Sequence, residues 1–157
     1  MSGKFAEGTT VPVEKTKAEI EATVMRFGAQ GFVCGWIGGT AAIVFEMQGR
    51  RVKFVLPMPD KNDSKVTIRR QDGWRGPSEK QKQDRIDAEV RRRWRALLLA
   101  IKAKLEVVQS GIASFEEEFL SHVVLPDGKT VGQWMGPQLK SVYETGRMPP
   151  LLLGSGS

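Results

Sequence analysis

Apolar residues recur along this chain with two different periods, and the switches between them mark out its elements. Between Glu14 and Phe27, Ile20, Val24 and Phe27 stand four and three residues apart with charges between them, which predicts a helix ended by Gly28. Three strands are then expected in quick succession: Gly31 to Ile37, Thr40 to Met47 and Arg51 to Leu56. Gly38-Gly39 and Gln48-Gly49 between them are turns of the two-residue hairpin type. In the third strand Val52, Phe54 and Leu56 alternate with Arg51, Lys53 and Val55, so that one face meets a core and the other meets water.

Pro57-Met58-Pro59 stops that strand, and Asp60 to Pro77 is polar. Its patch Val66-Thr67-Ile68 either adds a fourth strand or stays within a long loop. Ser78 has Gln81 three residues on, the spacing of a capping box, and opens one long helix to about Ser110, ended by Gly111. Ile86, Val90, Trp94, Leu97, Leu98, Ile101, Leu105 and Val108 form a single stripe along it. Ser114 caps a short helix through Leu120, Leu125 to Gly128 is a turn, and Val131–Met135 and Gln138–Thr145 read as two further helical pieces. The fold class is α+β: an N-terminal helix, a three-stranded antiparallel sheet, a long amphipathic helix and short C-terminal helices. One domain is expected over residues 1–153, with 1–12 a loose arm and Leu151 to Leu153 tucked onto the surface. Gly154 to Ser157 reads as an engineered linker.

Composition narrows the chemistry. With 40% hydrophobic and 27% charged residues the chain is an ordinary globular one, and no run approaches the ~20 apolar residues of a membrane span. Met1 to Lys4 leads into polar residues rather than an apolar signal core, and a single cysteine suits a reducing compartment, so a cytoplasmic location is expected. The sole histidine, His122, and the sole cysteine, Cys34, fall short of a zinc set and of a nucleophile–base pair with a recognisable context. His122 is expected to cap a helix end and Cys34 to fill the core. Carboxylates at Glu46, Asp60 and Asp63 are the remaining idea for a metal-dependent nuclease, but the tight Asp/Glu-x-Lys spacing is missing. The chain reads as non-enzymatic, with no metal or cofactor.

The formal net charge of +6 is concentrated between residues 58 and 95, which hold twelve basic and seven acidic residues. Localised positive charge attracts phosphate backbones, and acidic proteins as well. Three candidate patches result. Arg85, Arg91, Arg92 and Arg95 lie on the long helix, with Asp84, Asp87 and Glu89 positioned to salt-bridge part of that face. Arg69, Arg70 and Arg75 flank Trp74, an aromatic suited to stacking on unpaired bases. Arg50, Arg51 and Lys53 sit on or beside the third strand's outer face. The expected activity is accessory binding of nucleic acid, DNA or RNA, in replication, recombination or regulation. The alternative is a protein-interaction module that modulates a host or viral complex, and self-association stays open beside both.

Two resemblances add to this. The order helix, three antiparallel strands, long helix, over roughly residues 14–110, is similar to that of double-stranded-RNA-binding domains, although Lys80 and Lys82 alone stand where that family carries a lysine cluster. Val11-Pro12-Val13-Glu14, Phe54-Val55-Leu56-Pro57, Trp94-Arg95-Ala96-Leu97, Phe115-Glu116-Glu117-Glu118-Phe119 and Tyr143-Glu144-Thr145-Gly146-Arg147-Met148-Pro149-Pro150 resemble uncharacterised proteins of tailed bacteriophages and prophages. That resemblance implies a virus-encoded protein of the host cytoplasm and carries over no site residues.

Overall fold

The computed structural model describes residues 11–60 and 78–149. Helix α1 (Val13–Arg26) leads into strands β1 (Gly31–Ile37), β2 (Thr40–Met47) and β3 (Arg50–Pro57), followed by α2 (Glu79–Gln109), α3 (Phe115–Phe119), a single 3-10 turn (Leu120–His122) and α4 (Val131–Thr145). The fold is α+β, and the three strands form one antiparallel meander in the order β1-β2-β3. The expected strand at Val66-Thr67-Ile68 and the tucked Leu151–Leu153 lie outside the described residues.

The meander follows from its turns. Gly38 and Gly39 take φ of 55° and 75°, the left-handed pair of a type I′ turn, whose twist matches that of the flanking strands. Ile37 is thereby paired with Thr40, and the register runs through Cys34–Ile43 to Gly31–Glu46. Because side chains alternate, Ala41, Ile43, Phe45 and Met47 of β2 all fall on one face and are buried there with Val52 and Phe54 of β3. The two long helices cover that face. α1 contributes Ile20 and Val24, and α2 contributes Trp94, Leu98, Ile101 and Leu105. Phe119 closes the end of the core, meeting Phe45 and Phe54 edge-on at 6.3 and 6.2 Å between ring centroids.

Each helix in the second half of the chain starts on the same device. The side chains of Ser78, Ser114 and Thr130 accept from the backbone N–H three residues on, while Gln81, Glu117 and Gln133 return the bond to the cap. α2 stops where Gly111 enters the left-handed region, with Gly111 N–H donating to Val108 and Ile112 N–H to Val107.

One sequence expectation is corrected at the C-terminus. Val131–Met135 and Gln138–Thr145 are not two pieces but one helix, α4, which runs through Pro137. Proline removes one backbone donor and crowds the preceding turn, which is why the sequence reads as a break there, but the turns on either side continue.

Candidate functional site

The cationic residues of α2 are held by acids from two directions. Glu89, buried on the same helix, accepts from Arg92 Nε at 2.7 Å and from Arg93 Nε at 3.0 Å. Arg93 also reaches the Pro57 carbonyl at 2.7 Å, which ties the helix to the end of β3. Further along the helix, Arg95 and Lys102, seven residues apart, converge on Glu19 of α1 at 3.3 and 2.7 Å. The Lys102 hydrogen bond and both cationic charges hold the Glu19 carboxyl below its ordinary range, against a smaller opposing effect of burial. Arg92 and Arg95 are therefore clamps of the α2 surface and of the α1–α2 seam as well as sources of charge. A helical wheel puts Arg92 and Arg95 on an outward face, and there their side chains are only 21% and 30% exposed. A helical wheel cannot show that a neighbouring helix supplies a carboxylate above the arginine. Arg85 and Arg91 are half-buried on the same helix.

On the sheet, Arg51 and Lys53 lie on the outer face, the side away from the helices, since they pair with Glu46 and Val44 in the register. Arg51 bonds its cross-strand neighbour Glu46 at 3.0 Å. Arg50, at the head of β3, reaches Glu116 of α3 at 3.4 Å. The structure thus places the described cationic candidates on two opposite sides of the sheet, and the paired ones each have an acid. Arg69, Arg70, Trp74 and Arg75 lie outside the described residues, as does Asp63. Of the nuclease carboxylates, Glu46 is committed to Arg51, and among the described residues no group of three or more His, Cys, Asp or Glu side chains is arranged to hold a metal.

The signal that sequence reading missed is on α4. This helix buries none of its residues and meets the body through the 3-10 turn, where Gly132 fits against Ser121: a Cβ at Gly132 would stand 3.0 Å from the Ser121 carbonyl oxygen. Beyond that anchor, Trp134, Met135, Leu139 and Tyr143 are exposed, Tyr143 by 84%. At 100° per residue these four, with Val131 and Val142, span one half of the helix, and Lys140 and Glu144 occupy the other. With Gly132, Gly136 and Pro137 in its interior, α4 has weak intrinsic helicity, and a helix of 15 residues is marginal on its own in water. Reading the segment as two fragments hid this face, because neither fragment is long enough to display a stripe.

His122, at the end of the 3-10 turn, packs against the sheet instead of capping a helix. Its ring stacks on Phe54 with centroids 4.0 Å apart. Burial, reinforced by the nearby Lys104 charge, pushes its pKa below the ordinary value, and a hydrogen bond with the Lys53 backbone opposes the shift. A base with a depressed folded-state pKa contributes stability that is complete above the unfolded value of ~6.5 and is lost as pH falls through the folded one. Wild-type protein should accordingly lose stability on acidification from pH 7 to 5, and His122→Phe, which keeps the stack, should flatten that slope. Denaturant melts at the two pH values check this; equal slopes for both proteins would remove His122 from the acid response. Cys34 is half-buried at the sheet margin rather than in the core, and desolvation raises its thiol pKa.

No family model, curated protein or solved structure matches the chain.

Proposed function

We propose that this chain is a non-enzymatic protein-interaction module, and that the exposed half of α4 is its contact face. The supporting observation is the run Trp134, Met135, Leu139 and Tyr143 left open to solvent on a helix that buries nothing of its own. Contact surfaces are enriched in aromatic and methionine side chains and poor in charge at their centre, and this stripe has that make-up. The partner it suits presents an uncharged apolar groove, entered by the helix at i, i+4 and i+8 anchors. The separation of Arg50, Arg51 and Lys53 from Arg91, Arg92 and Arg95, and the acids already bound to most of them, favour this reading over a phosphate-binding stripe.

Placing a photoreactive side chain at Tyr143 in cells that make the protein tests the proposal. A discrete heteromeric adduct is expected, lost when Leu139→Asp is added and missing when the probe stands at Lys15 on α1. Both altered α4 positions are exposed, so helix content should not change. No adduct from Tyr143, or one indifferent to Leu139→Asp, would remove α4 as the contact face.

Nucleic-acid binding is the second reading, favoured by the five basic and two acidic residues of positions 61–77. Its mark is salt dependence: each phosphate contact contributes a slope of about 0.7–0.9 in log affinity against log salt. Generic DNA and RNA should then bind at low salt, and Arg69→Ala with Arg70→Ala should reduce that slope. An absence of binding at low salt rules this reading out.

A further inference from the structure

The sheet has two edges, and the chain treats them differently. The first half of β3 is covered on its outer side: Val124 N–H donates to the Arg51 carbonyl at 2.8 Å, and Val52 bridges to Val123. Along β1, among the described residues, no strand or bridge pairs with the outer side. The two-residue turn fixes which groups those are. Ile37 and Thr40 close the turn as a hydrogen-bonded pair, so alternate residues back along β1 point their N–H and C=O inward. Phe32, Cys34 and Trp36 are left pointing theirs out. An open edge of this kind templates another strand, and proteins that must avoid it place lysine, proline or a bulged charge there. β1, with sequence GFVCGWI, has no charged residue and no proline.

We infer that β1 is a homodimerisation edge, pairing antiparallel with β1 of a second copy about a two-fold axis at Cys34 to make one six-stranded sheet. This inference is independent of the α4 reading and goes beyond it. The occupant follows from the arrangement of the edge itself. A two-fold axis through Cys34 opposes Cys34 to its own copy and Phe32 to the copy's Trp36, so the three outward residues of each strand meet the three of the other and every unpaired group gains a partner. The side chains agree with that register. On the outer face Val33, 66% exposed, comes opposite Gly35 of the copy, where a Cβ would meet nothing within 4 Å and the valine has room. On the helix side Trp36, 56% exposed, comes opposite Phe32, an aromatic pair of the kind that stabilises cross-strand contacts. β1 carries no charge of its own to repel the same strand of a second copy, and the charges nearest it on the helix side, Lys17 and Glu14 of α1, are paired with each other at 3.2 Å.

Sedimentation velocity over a wide concentration range, with amide hydrogen exchange read residue by residue, tests this. The wild-type chain should reach twice the monomer mass as concentration rises. The amides of Phe32, Cys34 and Trp36 should gain protection in step, those of Val33 and Gly35 being protected throughout. Cys34→Pro removes an outward N–H and leaves the bonds to β2 intact, so it should give a folded monomer; Trp36→Lys, which puts a charge on the edge, should do the same if the proline disturbs the strand. A wild-type chain that stays monomeric overturns the inference, as does a dimer whose three outward amides exchange freely or one that survives both variants. A dimer lost with Leu139→Asp and kept with Cys34→Pro overturns it too, since the copies would then meet through α4.

Discussion

Trp94→Ala should lower unfolding stability by about 3–5 kcal/mol, the range for truncating a large aromatic residue in a packed core. Trp94 is fully buried at the centre of the α2 stripe, where it packs with the residues that α1 and the sheet present to that helix. Its surroundings are not wholly apolar. The Lys17 ammonium lies 5.2 Å from the ring centroid, and the indole Nε1 is buried with no hydrogen-bond partner among the described residues. Trp94→Phe is thus expected to cost clearly less than Trp94→Ala, because it keeps most of the ring and removes a donor that the core does not satisfy. Chemical denaturation of the three proteins decides the matter. A Trp94→Ala variant as stable as the wild type would show that the α2 stripe is not the core face.

Glu89→Ala is the second large effect, expected at about 3 kcal/mol, near the lower end of the cost of breaking a buried ion pair. Glu89 is 7% exposed and accepts from two guanidinium groups, so its removal leaves two half-buried cations beside each other without their shared acid. Arg92→Ala should cost less, since Arg93 keeps Glu89 paired. A melt in which Arg92→Ala is the more damaging of the two would contradict that ordering. For binding experiments it follows that charge reversal at Arg92 or Arg95 disturbs the α2 surface or the α1–α2 seam, and must be accompanied by a stability measurement. Arg51 and Lys53, on the outer face of the sheet, are cleaner positions at which to ask about phosphate contact.

The elements that were legible in the sequence are those specified by their immediate neighbours. The start of α2 is written in Ser78 and Gln81, its end in Gly111, and its buried face in the three- and four-residue steps from Ile86 to Val108. The meander is likewise contained in the two glycines at 38–39 and the alternation of β3. What the sequence concealed depends on residues far apart in the chain. Glu19 lies 76 residues from Arg95, so nothing local announces that the arginine is already bound. His122 is placed by Phe54 of β3, and its stacking cannot be read from the residues around it. Glu89, by contrast, stands three and four residues before Arg92 and Arg93, and that salt bridging is visible in the spacing alone. The α4 face was obscured by a local signal that misleads, a proline through which the helix nevertheless runs.

The way α4 is fastened also has a mechanical consequence. Its 15 residues make a rod of roughly 22 Å, and the attachment is at one end, where Val131 N–H donates to the Val123 carbonyl and Gly132 rests on Ser121. A molecule gripping Tyr143 would act on that rod as on a lever, with the load delivered to the short run from Ser121 to Val124. Those same residues carry the bridge to Val52, the bond to Arg51 and the ring lying on Phe54. Torque applied at the far end of α4 is therefore felt first at the margin of β3, and the hinge between arm and sheet is a stretch of four residues.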